Sequence, residues 1–99
     1  MATPEFTHDA DRSRFEIHME GEVIGTSYYR TEAGRRVFTQ TEVDPEYQGQ
    51  GLAGQLIKLA LDDTKAAGLR VVPQCPAVAK YASKHPEYDD IIDRDVAPR

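Results

Sequence analysis

A change of hydrophobic period across residues 44–51 constrains the fold of this chain more than any other feature. Before this segment, apolar and polar residues alternate as in a half-buried strand. After it, apolar residues recur at i, i+4 and i+7, as on one face of a helix. Pro45 ends the strand because proline cannot donate to a central ladder. Gly49 and Gly51 permit a tight turn before the helix, so a strand, a glycine-rich turn and a helix follow one another directly.

Three alternating segments predict three strands, over residues 14–19, 23–30 and 35–43. Gly21 lies in the first connection and Gly34 in the second, where each can take the positive φ angle that a tight hairpin needs. Consecutive strands joined in this way form an antiparallel meander.

The clearest helix is predicted over residues 52–67, with Gly68 in the position of a left-handed C-terminal cap. A short apolar strand over residues 69–73 follows. A strand, a helix and a strand in this order imply a right-handed crossover, so residues 35–73 form a βαβ unit with a parallel strand pair. A second helix is predicted over residues 76–85. The predicted fold class is mixed α/β (α+β), with a three-stranded meander, a βαβ unit and a C-terminal helix.

The length of 99 residues indicates one small domain. Residues 1–12 are polar and show no period, so we expect a flexible N-terminal arm. The domain itself is predicted over residues 13–90. An acidic C-terminal tail is expected over residues 91–99.

Charge and composition disfavour several function classes. A formal net charge of -5 argues against nucleic acid as a partner, because little would replace its counterions. No apolar run approaches the roughly 20 residues of a membrane span, and the first residues lack an apolar signal stretch, so we expect no membrane partner and a cytoplasmic location. Cys75 is the single cysteine, which fits a reducing compartment. His8 and His18 have no matching ligand set, so no metal is expected.

The glycine-rich turn at the start of the long helix is a candidate anion site. The first amide N–H groups of a helix have no partner within it, and the helix dipole adds about half a positive charge there. Gly49 and Gly51 let a phosphate approach these donors closely. Two glycines also fit a plain strand-to-helix turn, and that interpretation stays open. The spacing excludes both the P-loop and the dinucleotide fingerprint, because Lys58 lies inside the helix and no third glycine follows at the required position.

Four blocks in order carry a family resemblance: Thr41 to Val43, Tyr47 to Ala53, Val71 to Pro76, and His85 to Tyr88. Together they resemble the GCN5-related N-acetyltransferases (GNAT), and within them the small single-domain YjdJ-like or NATD1-like branch. The resemblance implies a GNAT-like fold and transfer of an acetyl group from acetyl-CoA to an amine acceptor by direct attack in a ternary complex. It implies acetyl-CoA or coenzyme A as the small-molecule partner.

The resemblance places the coenzyme A site at the glycine-rich turn. The residues assigned to binding are Val43, Gln48, Gly49, Gln50, Gly51, Leu52, Ala53, Lys84 and His85. The amides of the turn would hold the pyrophosphate, and the N–H of Val43 would point at the thioester oxygen. Lys84 and His85 could meet the ribose phosphate, or they could be ordinary cations near a helix C-terminus.

Three side chains are candidates for catalysis. Glu42, which should share a strand face with Gln40 and Phe38, could accept the ammonium proton, or it is a solvated surface carboxylate. Cys75 occupies a position where a helix dipole lowers the pKa of a thiol; it could carry the acetyl group or act as an acid, or it is a small buried residue. Tyr81 could protonate the departing thiolate, or it is a core aromatic.

Two departures from the family pattern leave other functions open. Gln40 stands where relatives often have histidine, so no histidine base is available there. Only Glu20 to Glu22 fills the place of a helical insertion that builds the acceptor pocket in larger relatives. A coenzyme A-binding module without turnover, a route through acetyl-Cys75, and a thiol hydrolase pairing Cys75 with His85 are the alternatives. The amine acceptor is unidentified, either a small molecule or a protein lysine or N-terminus, and the chain is expected to be a monomer or weak homodimer.

Overall fold

The computed structural model describes residues 3–93 as one mixed sheet of five strands with two α-helices. The strands and helices are β1 (Glu5–Asp9), β2 (Arg14–Met19), β3 (Glu22–Glu32), β4 (Arg35–Val43), α1 (Leu52–Ala66), β5 (Arg70–Pro73) and α2 (Pro76–Lys84). The strands lie in the order β1-β2-β3-β4-β5. Neighbouring strands are antiparallel except β4 and β5, which are parallel. The predicted mixed α+β, GNAT-like class is confirmed.

The βαβ unit is present as the sequence predicts. β4 pairs with β5 from Arg35 opposite Arg70 to Phe38 opposite Pro73. Gly68 follows α1 with a φ of +74°, and its N–H donates to the carbonyl of Lys65 over 3.1 Å. α1 therefore ends at the left-handed glycine that the sequence indicates.

The prediction of a flexible arm over residues 1–12 is wrong for the part that the structure describes. Residues 5–9 form β1, which pairs antiparallel with β2, and a short 3-10 turn over Ala10–Arg12 joins the two strands. The ring of His8 stacks on Phe15 with the centroids 4.1 Å apart. His8 also contacts the ring of Tyr29 at 5.7 Å and hydrogen-bonds to its hydroxyl. These contacts and the ladder to β2 hold a segment whose own sequence shows little apolar character. The meander consequently has four strands, not three.

The core lies between the sheet and both helices. Its most deeply buried large side chains are Phe15, Ile17, Ile24, Phe38, Leu56, Leu61, Val71 and Val78. They come from β2, β3, β4, α1, β5 and α2, so every central element contributes to one cluster. Burial of each such side chain stabilises the fold by about 1.5–3 kcal/mol.

A β-bulge in β4 changes which side chains share a face. Tyr29 of β3 lies opposite Phe38, whereas Tyr28 lies opposite Gln40, so Thr39 is an extra residue in the ladder. Phe38 is buried on the helix side, while Gln40 and Glu42 are exposed. The prediction that Glu42 shares a face with Phe38 is wrong, because the extra residue shifts the alternation by one position.

The described part of the C-terminal segment lies against β5. The N–H of Val71 donates to the carbonyl of Ile91 over 2.8 Å, and the N–H of Asp93 donates to the carbonyl of Val71 over 2.7 Å. Ile92 is 4% exposed within the core cluster. Residues 91–93 thus extend the sheet edge, while residues 94–99 of the predicted acidic tail lie outside the described residues.

Within residues 3–93, neither helix has the length and apolar character needed to cross a membrane.

Candidate functional site

The glycine-rich turn is attached to the end of β4 by a side chain. The amide Nε2 of Gln48 donates to the carbonyl oxygen of Val43 over 2.9 Å. Gly49 and Gly51 have φ angles of +82° and +76°, a region that residues with a side chain rarely adopt. A Cβ added at either glycine would meet no atom within 4 Å. Backbone conformation, not packing, therefore requires both glycines, and the space beside them is open.

The N-terminus of α1 carries no side-chain cap among residues 3–93. Gly51 occupies the N-cap position, and the first turn contains no acidic residue. The amide of Gln55 donates to the carbonyl of Gly51 over 3.2 Å, so the amides of Leu52, Ala53 and Gly54 precede the first intrahelical bond. Unpaired donors and the positive end of the helix dipole make this end suited to an anion.

The predicted binding residues of the turn differ in what they can contribute. The side chain of Leu52 is buried in the core at 5% exposure, so only its backbone can contact a ligand. Gln50 is exposed. Val43 is half-buried and packs against the core cluster.

A groove between α1 and α2 starts at this end of α1. It has a volume of about 230 Å³ and is lined by Ala53, Gly54, Ile57, Ala77, Lys80, Tyr81 and Lys84. The lining unites three residues predicted separately from the sequence, namely Ala53, Tyr81 and Lys84. The small side chains of α1 and α2 leave room between the helices, while two lysines supply positive charge on the α2 side.

Tyr81 and His85 form a stacked pair at the end of α2. Their ring centroids are 3.9 Å apart, and His85 Nδ1 lies 3.4 Å from a carboxylate oxygen of Glu87. Burial raises the pKa of the Tyr81 hydroxyl above its usual value, although the nearby Lys58 acts in the opposite direction. The Tyr81 phenol therefore stays protonated at neutral pH, as a proton donor requires.

Cys75 occupies the N-cap of α2, as the sequence predicts, with Pro76 in the first helical turn. Its backbone N–H donates to the carbonyl of Phe38 over 2.8 Å, which joins the start of α2 to β4 beside the bulge. The residue is 3% exposed. Its Sγ donates to the hydroxyl Oγ1 of Thr41 over 3.4 Å.

The structure does not bring Cys75 and His85 together. They flank the nine residues of α2 at opposite ends, a separation of about 15 Å along a helix. His85 contacts Tyr81 and Glu87 instead. A thiol hydrolase built on these two residues is therefore disfavoured.

Glu42 lies on a different face of the sheet from Cys75. Thr41, which contacts Cys75, is on the helix side, and its neighbour Glu42 points to the other side because side chains alternate along a strand. On that side Gln40 donates a hydrogen bond to Glu42 through its side-chain amide. A base at Glu42 would thus serve an acceptor approaching from the polar face of the sheet.

Six residues of the site escaped the sequence interpretation. Gly54, Ile57, Ala77 and Lys80 line the groove, and Thr41 and Ser27 form the hydrogen-bonded contacts on the thiol side. Lys80 could have been found from its helical spacing of four residues to Lys84. Nothing local identifies Ser27, because its role depends on pairing with a strand 14 residues away. No group of three or more metal-binding side chains occurs within residues 3–93.

Comparisons with known proteins identify the family to which this sequence is similar. A family model described as GCN5-related N-acetyl-transferase matches residues 14–91, which run from the start of β2 past the last 3-10 turn. The chain is also similar to Protein NATD1 of Mus musculus, with 30% identity over 81 residues, covering 80% of this chain and 74% of that protein. The matched family region includes the glycine-rich turn, the groove and all three candidate catalytic side chains.

Proposed function

This chain belongs to the GCN5-related N-acetyltransferases, and on that premise we propose that it moves an acetyl group from acetyl-CoA to an amine. Membership of the family supports acetyltransferase chemistry in general. The donor, the class of acceptor and the residues assigned to each step are the proposal.

One observation supports the donor most directly: the uncapped, glycine-bordered start of α1 opens beside the α1–α2 groove. A diphosphate is an anion that unpaired helix amides bind well. The backbone donors of Leu52, Ala53 and Gly54 would hold it without any cationic side chain in the turn. The groove, of about 230 Å³, offers a small apolar floor to the flexible arm of the coenzyme.

The remaining predicted binding residues fit this arrangement to different degrees. Lys84 lies at the groove and would meet a phosphate of the coenzyme, with Lys80 beside it. His85 stacks on Tyr81 and would contribute mainly by holding that ring. Gln48 would act through the turn that it attaches to β4.

Acetyl-CoA, when bound, supplies an activated thioester. The chain must then bind the acceptor with an uncharged nitrogen and provide a proton for the departing sulfur. Glu42 would accept the proton of the incoming ammonium on the polar face of the sheet. Cys75 or Tyr81 would donate a proton to the sulfur from the helix side. In the alternative route, Cys75 would itself carry the acetyl group.

A coenzyme A-binding protein without turnover is the second candidate. The exposure of Glu42 favours it, because a base that solvent surrounds is held less firmly towards a substrate than a buried one. Binding and turnover must therefore be measured separately.

Binding is tested by calorimetric titration of the chain with acetyl-CoA and by a matched pair of glycine substitutions. Gly51 and Gly68 lie at opposite ends of α1, have φ angles of +76° and +74°, and both leave an added Cβ free of contacts within 4 Å. Alanine at either position should lower the free energy of unfolding by about 1 kcal/mol. We expect Gly51→Ala to weaken acetyl-CoA binding about tenfold, a loss of about 1.4 kcal/mol, and Gly68→Ala to leave it unchanged. Equal effects of the two, or no heat with the unsubstituted chain, would contradict the proposed donor site.

Turnover is tested by following release of the coenzyme thiol with a polyamine, a lysine peptide and a peptide with a free N-terminus. Glu42→Gln should abolish release while acetyl-CoA affinity stays the same. Intact-protein mass spectrometry after donor addition alone distinguishes the route, because an acetyl group on Cys75 appears only in the covalent one. Binding of acetyl-CoA without release of the coenzyme thiol in the presence of any of the three acceptors would favour the coenzyme A-binding protein without turnover.

The proposal also includes the location of the chain and its oligomeric state. The buried thiol of Cys75, which forms no disulfide, is compatible with the predicted cytoplasm, where acetyl-CoA is available. The chain is still expected to be a monomer or weak homodimer.

A further inference from the structure

Three polar side chains form a row in the interior, from β3 through β4 to the start of α2. The Sγ of Cys75 lies 3.4 Å from Oγ1 of Thr41, and that oxygen lies 3.0 Å from Oγ of Ser27. Ser27 and Thr41 stand directly opposite each other in the β3–β4 ladder. Ser27 is 0% exposed and Cys75 is 3% exposed, whereas Thr41 between them is half-buried.

Burial of a hydroxyl at the position of Ser27 is costly unless the group is hydrogen-bonded. Alanine would fit the same strand without that cost. The hydroxyl of Ser27 bonds to Thr41, and Thr41 in turn bonds to Cys75. The polar group in the core therefore acts on the thiol through Thr41.

The row can reverse its direction without moving a heavy atom, because each hydroxyl both donates and accepts. With a protonated thiol, Cys75 donates to Thr41 and Thr41 donates to Ser27. With a thiolate, Ser27 donates to Thr41 and Thr41 donates to the sulfur. The hydrogen bond to the charged form is the stronger of the two, since one partner is ionised.

We propose that Thr41 and Ser27 are positioning residues that orient the thiol of Cys75 and stabilise its thiolate by a reversible hydrogen-bonded relay. This role of the relay rests on the proposed function, in which Cys75 protonates the departing sulfur. When Cys75 donates its proton to the departing sulfur, its S–H bond breaks and a new S–H bond forms on that sulfur. The charge left on Cys75 is met by the hydroxyl of Thr41. The acetylated nitrogen loses its extra proton to water as it becomes a neutral amide, and the thiolate of Cys75 regains a proton from water.

Charged groups of the neighbouring elements lie away from this row. On β4, Glu42 is on the other face of the sheet and Arg36 pairs with Asp63 over 2.6 Å. On α2, Lys80 and Lys84 line the groove. β3 carries no charged side chain between Glu22 and Arg30. On α1 the first charged residue, Lys58, pairs with Asp62 over 2.8 Å. Hydroxyls, and not an ion pair, are therefore the groups available to the sulfur.

The experiment is a pH titration of thiolate ultraviolet absorbance in the chain without acetyl-CoA. Cys75 is the single cysteine, so a Cys75→Ala blank isolates its signal from the tyrosines. We expect Thr41→Val to raise the midpoint by about one pH unit and Ser27→Ala by about half a unit. Thr41→Ser, which keeps the hydroxyl, should restore the original midpoint. Thr39→Val is the matched control, because Thr39 lies on the same strand and bonds to the carbonyl of Tyr28 instead.

An unchanged midpoint in folded Thr41→Val would overturn the relay. If Thr41→Val does not fold, Ser27→Ala and Thr41→Ser decide the question. A raised midpoint in Ser27→Ala together with an unchanged midpoint in Thr41→Ser supports the relay. Any other combination overturns it. A shifted midpoint in a chain that does not bind acetyl-CoA would leave the relay standing and refute the proposed function. Binding of acetyl-CoA to the unsubstituted chain, with no shift of the thiolate midpoint in the variants, would overturn the relay and leave the proposed function standing.

Discussion

The two ends of α1 are built in opposite ways. The N-terminal end begins at Gly51 without a side-chain cap in the described part of the chain. At the C-terminal end, Arg36 donates to Asp63 over 2.6 Å and to Thr64 over 3.2 Å, and the hydroxyl of Tyr88 donates to Asp62 over 2.6 Å. Side chains from β4 and from the C-terminal 3-10 turn thus fix one end of the helix.

This difference assigns stability to the C-terminal end of α1 and ligand binding to its N-terminal end. The guanidinium of Arg36 lies 5.0 Å from the ring centroid of Tyr29 and 5.8 Å from that of Phe15, so it is paired and also packed. An end secured in this way can hold the helix while the other end keeps its amides for a ligand. Substitutions at the two ends should therefore affect different measurements.

The largest expected effect is on stability, from Arg36→Met. Removing Arg36, the buried partner of this ion pair, leaves Asp63 with only His8 Nδ1 at 3.5 Å, and partial exposure of the carboxylate limits the loss to about 2 kcal/mol of unfolding free energy. Urea unfolding measures it, and acetyl-CoA affinity of the folded variant should stay the same. Arg30→Met is the control, because Arg30 and Glu32 are both about half exposed and their pair should contribute less than about 0.5 kcal/mol. A large loss of affinity in Arg36→Met would break the separation.

A smaller, pH-dependent effect on stability is expected from a substitution at the same C-terminal end of α1. Burial opposes ionisation of Asp62, but hydrogen bonds from Lys58 and Tyr88 outweigh it and hold the pKa of this carboxyl below its usual value. A lowered pKa contributes stability above the unfolded value of about 4, and this contribution is lost as the pH falls through the folded value. Tyr88→Phe should cost about 1 kcal/mol at pH 7 and less below pH 4.

Unfolding curves at neutral and acid pH measure that difference. Tyr47→Phe, on the N-terminal side of α1, removes no bond to Asp62 and serves as the comparison. If both tyrosine variants lost stability with the same pH profile, Asp62 would not be the group responsible.

The smallest expected effect is on acetyl-CoA affinity, and it should distinguish a lysine at the groove from a lysine at the C-terminal end of α1. Lys84 lies at the groove, whereas Lys65 lies in the last turn of α1, 3.8 Å from Asp90. Lys84→Ala should weaken acetyl-CoA binding about threefold at low salt, with the difference shrinking as salt screens the charges. Lys65→Ala should leave binding the same. Calorimetry at two salt concentrations measures both, and equal losses would show that only overall charge matters.

Local sequence patterns were sufficient for most of the framework. The alternation over Arg14–Met19 and Arg35–Val43 predicts strands with the observed bounds, and the helical period from Leu52 predicts α1 to within one residue. The glycines at 49, 51 and 68 were correctly associated with turns and a cap, because a positive φ angle is a property of the residue itself. Cys75 was correctly placed at the N-cap of α2 for the same local reason.

β1 could not be predicted in this way. Its sequence, Glu5–Asp9, has weak alternation, and the strand exists because β2 supplies a ladder and Phe15 supplies a ring for His8. A strand of this kind is stabilised by its neighbours more than by its own residues.

From β2 onward, the chain's periodicity and glycines by themselves determined the order of strands and helices and the uncapped start of α1, since both depend on residues close in sequence. Only the tertiary structure decided the bulge at Thr39, which turned Glu42 away from Phe38, and the row from Ser27 through Thr41 to Cys75. Thr41 and Cys75 are 34 positions apart. Such contacts depend on strand register and helix docking, which are set by packing of the whole core and not by any local pattern.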